Sequence, residues 1–277
     1  MNRIESVFSQ LKSQNKAALI PFITAGDPDS ATTVALMHQL TRSGVDLIEL
    51  GVPFSDPMAD GPTIQRASER ALKHHISLKD VLAMVAAFRK TNQHVPVVLM
   101  GYANPIEAMG YKDFVEEAHR SGVDGVLVVD YPPEESAEWV QYLEEQGIAP
   151  IFLLSPTTPE SRIKHVAELA KGYVYYVSLK GVTGASHLDL QDVSDKLSQL
   201  REYIKVPIGV GFGIRDEQTA RSIAERADAV VIGSRIVEEI EQSQPADLMT
   251  NVGTLVKSLR HAIDAGSGCS SDKGKGI

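Results

Sequence analysis

One recurrence limits what this chain can fold into. Eight short apolar runs, at Ala17–Thr24, Asp46–Gly51, Val95–Gly101, Gly125–Asp130, Ala149–Leu154, Tyr173–Ser178, Val206–Gly211 and Ala229–Gly233, lack the alternation of a half-exposed strand. Strands of that kind are covered on both faces, as in a parallel sheet clothed by helices. Segments of helical spacing separate them, among them 30–43, 63–74 and 78–90, 111–121, 134–146, 159–170, 190–203 and 216–226. Eight strand–helix units in 277 residues without a break in composition predict an α/β fold, a single (β/α)8 TIM barrel over residues 1–264. A doubly wound open sheet is the competing arrangement. Ile4, Val7, Phe8 and Leu11 add an N-terminal helix, and residues 235–242 and 246–264 add helices near the eighth strand. Residues 265–277, small and polar, read as a disordered tail or a cloning remnant.

Charge and composition remove several functions. A net charge of −9 argues against a nucleic-acid surface, although backbone N–H groups at a helix start still hold a phosphate. The single cysteine, Cys269, excludes an internal disulfide and a cysteine zinc cluster. His74, His75, His119 and His165 fall on predicted helices away from strand ends, so no metal site is expected. No run approaches a membrane span and no secretory leader opens the chain, which leaves a soluble, cytoplasmic protein as the expectation.

Chemistry in such a barrel sits where the strands end. The second strand carries Glu49 inside Leu-Ile-Glu-Leu, where an ionised carboxylate is costly and its pKa rises. The loop after it carries Asp60. Two acids in different surroundings suit an acid/base pair, whereas singly Glu49 fits a paired structural carboxylate and Asp60 ordinary turn chemistry. Gly211-Phe212-Gly213 follows the seventh strand, and Gly233-Ser234 follows the eighth at a helix start, together a candidate phosphate cradle or simply the glycine-rich turns of a barrel. The sixth loop, Leu179 to His187 with Gly181 and Gly184, is a candidate lid or a plain surface loop. Tyr175 points either into the barrel mouth or into the core.

Read together, five stretches resemble one family. Leu47-Ile-Glu-Leu-Gly-Val-Pro-Phe-Ser-Asp-Pro-Met-Ala-Asp-Gly-Pro62 closely resembles the signature of tryptophan synthase α chains. So do Pro21-Phe-Ile-Thr-Ala-Gly-Asp-Pro28, Met100-Gly-Tyr-Ala-Asn-Pro105, Gly181-Val-Thr-Gly-Ala185 and Gly209-Val-Gly-Phe-Gly213. The likeness runs to about residue 264. It implies a lyase that cleaves indole-3-glycerol phosphate to indole and glyceraldehyde 3-phosphate by retro-aldol chemistry, in tryptophan biosynthesis. By resemblance Glu49 shuttles protons, Asp60 holds the indole N–H, and Thr183 meets Asp60 as the sixth loop closes. Phe22, Met100, Leu127 and Phe212 form the ring slot, and Tyr175 positions Glu49 or the substrate. Gly184, Gly213, Gly233 and Ser234 hold the phosphate.

The resemblance implies no cofactor on this chain, pyridoxal phosphate belonging to a β-chain partner in an α2β2 complex. Pro53, Phe54, Asp56, Pro57, Met58, Asn104 and Pro105 are the candidate partner-facing residues. Three features depart from the family pattern: a slightly short segment between Gly213 and Gly233, Leu179 where some relatives carry Arg, and the tail after Ala265. Another phosphate-binding barrel enzyme of indole or sugar phosphates, or a non-catalytic activator of a partner, are the alternatives. A synthase of indoleglycerol phosphate needs a lysine on a strand end, and the predicted strands carry none.

Overall fold

The structure, a computed structural model, describes residues 2–178, 190–211 and 213–267. Eight parallel strands close into a barrel in chain order, each paired with its sequence neighbours and the first with the eighth. Helix α1 (Arg3–Ser13) precedes β1 (Ala18–Thr24), and α2 (Ser30–Arg42) leads to β2 (Ile48–Gly51). Two helices, α3 (Pro62–Leu72) and α4 (Leu78–Arg89), precede β3 (Val97–Gly101), and two more, α5 (Ala103–Met109) and α6 (Tyr111–Ser121), precede β4 (Gly125–Val128). A 3-10 turn at Pro133–Glu135 and α7 (Ala137–Glu145) reach β5 (Ala149–Leu154). The remaining units are α8 (Glu160–Leu169), β6 (Val174–Val177), α9 (Leu190–Tyr203), β7 (Ile208–Gly211), α10 (Glu217–Ala224) and β8 (Ala229–Ile232). The chain continues in α11 (Ser234–Gln242) and α12 (Leu248–Ser267).

The strands lack alternation because both faces are buried, yet their side chains still divide. Leu19, Ile23, Ile48, Leu50, Val97 and Leu99 join the layer beneath the helices. Ala18, Ile20, Leu47, Val98, Leu127, Tyr173 and Tyr175 fill the inside. Helix α1 closes the N-terminal end of the barrel by putting Ile4, Phe8 and Leu11 into that inner cluster. Its capping box, Asn2 with Glu5, fixes its start, and the Asn2 amide donates to the carbonyls of Asp124 and Gly147.

Three aspartates bind the strand starts at this closed end. Asp46, before β2, accepts from the Leu19 N–H of β1 at 2.8 Å. Asp124, before β4, accepts from Val97 N of β3 at 2.8 Å, and Asp228, before β8, from Ile208 N of β7 at 3.0 Å. Each satisfies a backbone donor at the end of a buried strand, where no ladder partner remains.

Two expectations change. The predicted helix over 134–146 is divided: a 3-10 turn occupies 133–135, and α7 begins at Ala137. The predicted tail begins too early. Helix α12 continues through Ser267, whose hydroxyl accepts from Ala17 N at 3.0 Å and donates to the Ile263 carbonyl at 3.0 Å. Residues 268–277 lie outside the described residues.

Candidate active site

Strand β2 delivers Glu49 to the inside of the barrel. Its neighbours in sequence, Ile48 and Leu50, face the helices, and the period of two turns residue 49 inward. The side chain has no exposure, and Tyr173 Oη donates to its Oε1 at 2.5 Å. Its Oε2 has no hydrogen-bond partner among the described residues. Burial raises the Glu49 pKa to about 7, against the hydrogen bond from Tyr173, which lowers it. Both protonation states are therefore populated near neutrality, as a group that gives and takes a proton requires.

Tyr173 was not among the sequence candidates, although it lies two residues from Tyr175 and so faces the same way. Burial and the Glu49 charge raise its hydroxyl pKa, so it remains a donor. Phe8 of α1 packs on its ring at 5.9 Å between centroids, so the closed end of the barrel supports the group that holds Glu49. Tyr175 is also buried inside the barrel, its hydroxyl pKa raised by burial and by Glu49. On the neighbouring strand β7, one strand repeat beyond its partner Gly209, an added Cβ at Gly211 would overlap the Tyr175 hydroxyl.

Asp60 reaches the mouth on the loop after β2. Tyr102, the residue after β3, organises that loop: its hydroxyl accepts from Ala59 N and donates to Asp60 Oδ2, each at 3.0 Å. Its ring meets Phe54 at 5.1 Å. Gln65 of α3 donates to the Asp60 carbonyl at 2.8 Å. Burial raises the Asp60 pKa and the Tyr102 bond lowers it. Asp60, Phe22, Thr24, Met100 and Tyr102 line one cleft at the barrel mouth. Phe22 sits beside Glu49 in the β1–β2 register, and an added Cβ at Gly51 would overlap the Phe22 ring. Leu127 is fully buried deeper in the inner cluster and does not line this cleft.

At the far rim, Gly233 is the N-cap of α11, and Ser234 is the first residue of that helix. No side chain caps the helix, so its start presents backbone donors and the positive end of its dipole. Gly233 lies against Phe22, which places the helix start beside the cleft. Gly213 has φ +76°. Helix α3 ties α11 in place: Arg66 and Arg70 pair with Glu241 at 2.7 and 2.6 Å, and Arg70 also grips Asp27 after β1 through two bonds of 2.8 Å. Thr183, Gly184 and Phe212 lie outside the described residues. Among the described residues no cluster of His, Cys, Asp and Glu fits a metal ion, and no strand carries a lysine.

On the outer surface of the loop after β2, Met58 is 81% exposed, the one large hydrophobic side chain so exposed among the described residues. Asp56 and Asn104 are exposed, and Phe54, Pro57 and Pro105 half-buried. Pro53 is buried and shapes the loop from beneath.

Comparison with known proteins fits this geometry. A family model described as "Tryptophan synthase alpha chain" matches residues 8–264. The chain belongs to the tryptophan synthase alpha chain family. A tryptophan synthase alpha chain of Nitrosomonas europaea is 83% identical over 271 residues, covering 98% of each protein, and one of Nitrosospira multiformis is 67% identical over 267 residues, covering 96% of each. The crystal structure of tryptophan synthase subunit alpha from Legionella pneumophila superposes with a TM-score of 0.90 at 46% identity, over 96% of this chain and 99% of that one. The chain is accordingly a carbon–carbon lyase of tryptophan biosynthesis, carrying out the alpha half-reaction: cleavage of indole-3-glycerol phosphate to indole and glyceraldehyde 3-phosphate.

Proposed function

We propose that Glu49 moves both protons of this reaction. Protonated Glu49 gives its proton to ring carbon 3 of indole-3-glycerol phosphate, which leaves a cation delocalised over the ring nitrogen. Asp60 accepts the N–H and stabilises that charge. The Glu49 carboxylate then takes the proton of the adjacent side-chain hydroxyl. The carbon–carbon bond breaks, its electron pair restores the indole ring, and the hydroxyl-bearing carbon becomes the aldehyde. Glu49 ends protonated, as it began. The observation that carries this reading is the fully buried carboxyl whose Oε2 has no partner among the described residues, with a pKa raised to about 7.

Phe22 and Met100 form walls of the ring slot, with Leu127 behind them beside Met100 in the β3–β4 register; Phe212 is assigned to the ring by the family resemblance, and Tyr175 shapes the space beside Glu49. Gly213, Gly233 and Ser234 take the phosphate, with Gly184 and Thr183 assigned to the substrate side by the family resemblance alone. The scheme balances with substrate atoms and one side chain, so no cofactor or metal enters it. Pyridoxal phosphate belongs to a β-chain partner, which forms an α2β2 complex in the cytoplasm and meets Phe54, Asp56, Pro57, Met58, Asn104 and Pro105. The exposure of Met58 supports an occupied surface there. Indole release from indole-3-glycerol phosphate, followed with and without added β chain, tests the reading. Slow release alone and strong acceleration with the partner are expected; no indole under either condition overturns it.

A further inference from the structure

One hydroxyl inside the ring slot has no partner among the described residues. Thr24 ends β1, is 2% exposed and lines the cleft with Phe22, Met100 and Asp60, yet no described group hydrogen-bonds its Oγ1. A buried hydroxyl in that state has given up its bonds to water and received none in return. Valine has the same shape and would fill this place without that loss. The segment that follows treats its other buried threonine differently: Thr33 Oγ1 accepts from Gly26 N and donates to the Asp29 carbonyl, both at 2.9 Å. Thr24 sits beside Gly51 in the β1–β2 register, one strand repeat nearer the mouth than the Phe22–Glu49 pair. It therefore lies on the Asp60 side of the slot, among walls that are otherwise mostly apolar.

We propose that Thr24 is a specificity-determining residue, whose hydroxyl shares with Asp60 the N–H edge of a bicyclic heteroaromatic ring. The hydroxyl is left open by the protein and filled by the ring nitrogen's hydrogen in a three-centre bond. An apolar wall would hold the ring as well but would not distinguish an N–H edge from a bare one. The inference rests on the ring occupying this cleft.

Two variants, Thr24→Val and Thr24→Ser, test it with two substrates: indole-3-glycerol phosphate and the same ester carrying a benzofuran ring, which lacks the N–H. Binding of each is measured alongside indole release and denaturant stability. Thr24→Val should lower kcat/KM on the indole substrate about tenfold, leave benzofuran binding unchanged, and keep or raise stability. Thr24→Ser should retain most of the activity. The inference is overturned if Thr24→Val turns over the indole substrate like the unaltered chain, loses affinity equally for both rings, or loses activity only in step with folded protein. Asp60→Asn separates the two levels of the argument. If it narrows the preference for the N–H ring and Thr24→Val does not, only the role of Thr24 fails. If neither variant changes that preference, the ring is not in this cleft.

Discussion

The two ends of the barrel use carboxylates in opposite ways. At the closed end Asp124 is buried, and its oxygens receive Arg3 at 2.9 Å, Arg89 at 2.6 Å and the Val97 N–H at 2.8 Å. At the open end Glu49 is buried just as deeply and receives one hydrogen bond, from Tyr173. Asp60 likewise has a single side-chain partner among the described residues, Tyr102. A buried acid supplied with cations and N–H donors is a fixed charge and holds strands together. The same chemical group given one neutral donor remains near its titration point and can exchange protons. Burial alone does not mark a catalytic carboxylate; the number and charge of its partners do.

The largest expected effect separates the ends most sharply. Glu49→Gln should reduce indole release by at least ~10³-fold, since no other group in the scheme transfers protons. It should also flatten part of the stability profile. The folded-state pKa of Glu49 is raised from its usual 4.5 to about 7. Its contribution to stability is therefore complete below pH 4.5 and is lost as the pH rises to about 7, roughly 3 kcal/mol in all. Denaturant titrations at pH 5 and pH 8 should show that loss in the unaltered chain and not in Glu49→Gln. An equal pH dependence in both would deny the raised pKa.

Asp124→Ala should behave in the reverse sense. It leaves the buried Arg89 guanidinium, whose pKa burial already lowers to about 10, without its carboxylate, and should cost about 3–5 kcal/mol of stability. Turnover per folded molecule should stay within about twofold. Loss of specific activity in the folded fraction would mean that the two ends are not separable.

Tyr173→Phe gives the smallest effect and the finest test. It removes the bond that lowers the Glu49 pKa, so that pKa should rise further. In the scheme Glu49 begins protonated, so kcat/KM falls as pH passes its pKa, and this alkaline limb should move upward in Tyr173→Phe. A limb that stays in place would show that Tyr173 only fills space.

Most of the barrel was legible because both-face burial writes continuous apolar runs into the strands, and Glu49 was conspicuous as the one charge inside such a run. Partners across the barrel were harder to read. Tyr173 meets Glu49 from four strands away, and only its two-residue offset from Tyr175 pointed inward. Thr24 and Tyr102 gave no signal, since a threonine ending a strand and a tyrosine after one suit any fold. Helix α5 has no counterpart among the predicted segments: it is only seven residues long and holds Pro105, which falls in its first turn, where the missing N–H is tolerated. The end of α12 reads as tail because Gly266 and Ser267 are small. In the structure smallness is what lets the helix pack, since an added Cβ at Gly266 would lie 2.6 Å from the Arg221 carbonyl oxygen. Low volume carried the signature of disorder but served a close contact.

The reaction scheme requires that Glu49 titrate near neutrality inside the folded barrel. Isotope-edited infrared spectroscopy of the side-chain carboxyl, with chains labelled on glutamate and Glu49→Gln as the reference, reads that titration directly. A protonated carboxyl band absent from Glu49→Gln and disappearing with a midpoint near pH 7 is the predicted result. A difference spectrum that shows Glu49 ionised throughout, with its transition near pH 4.5, would contradict it.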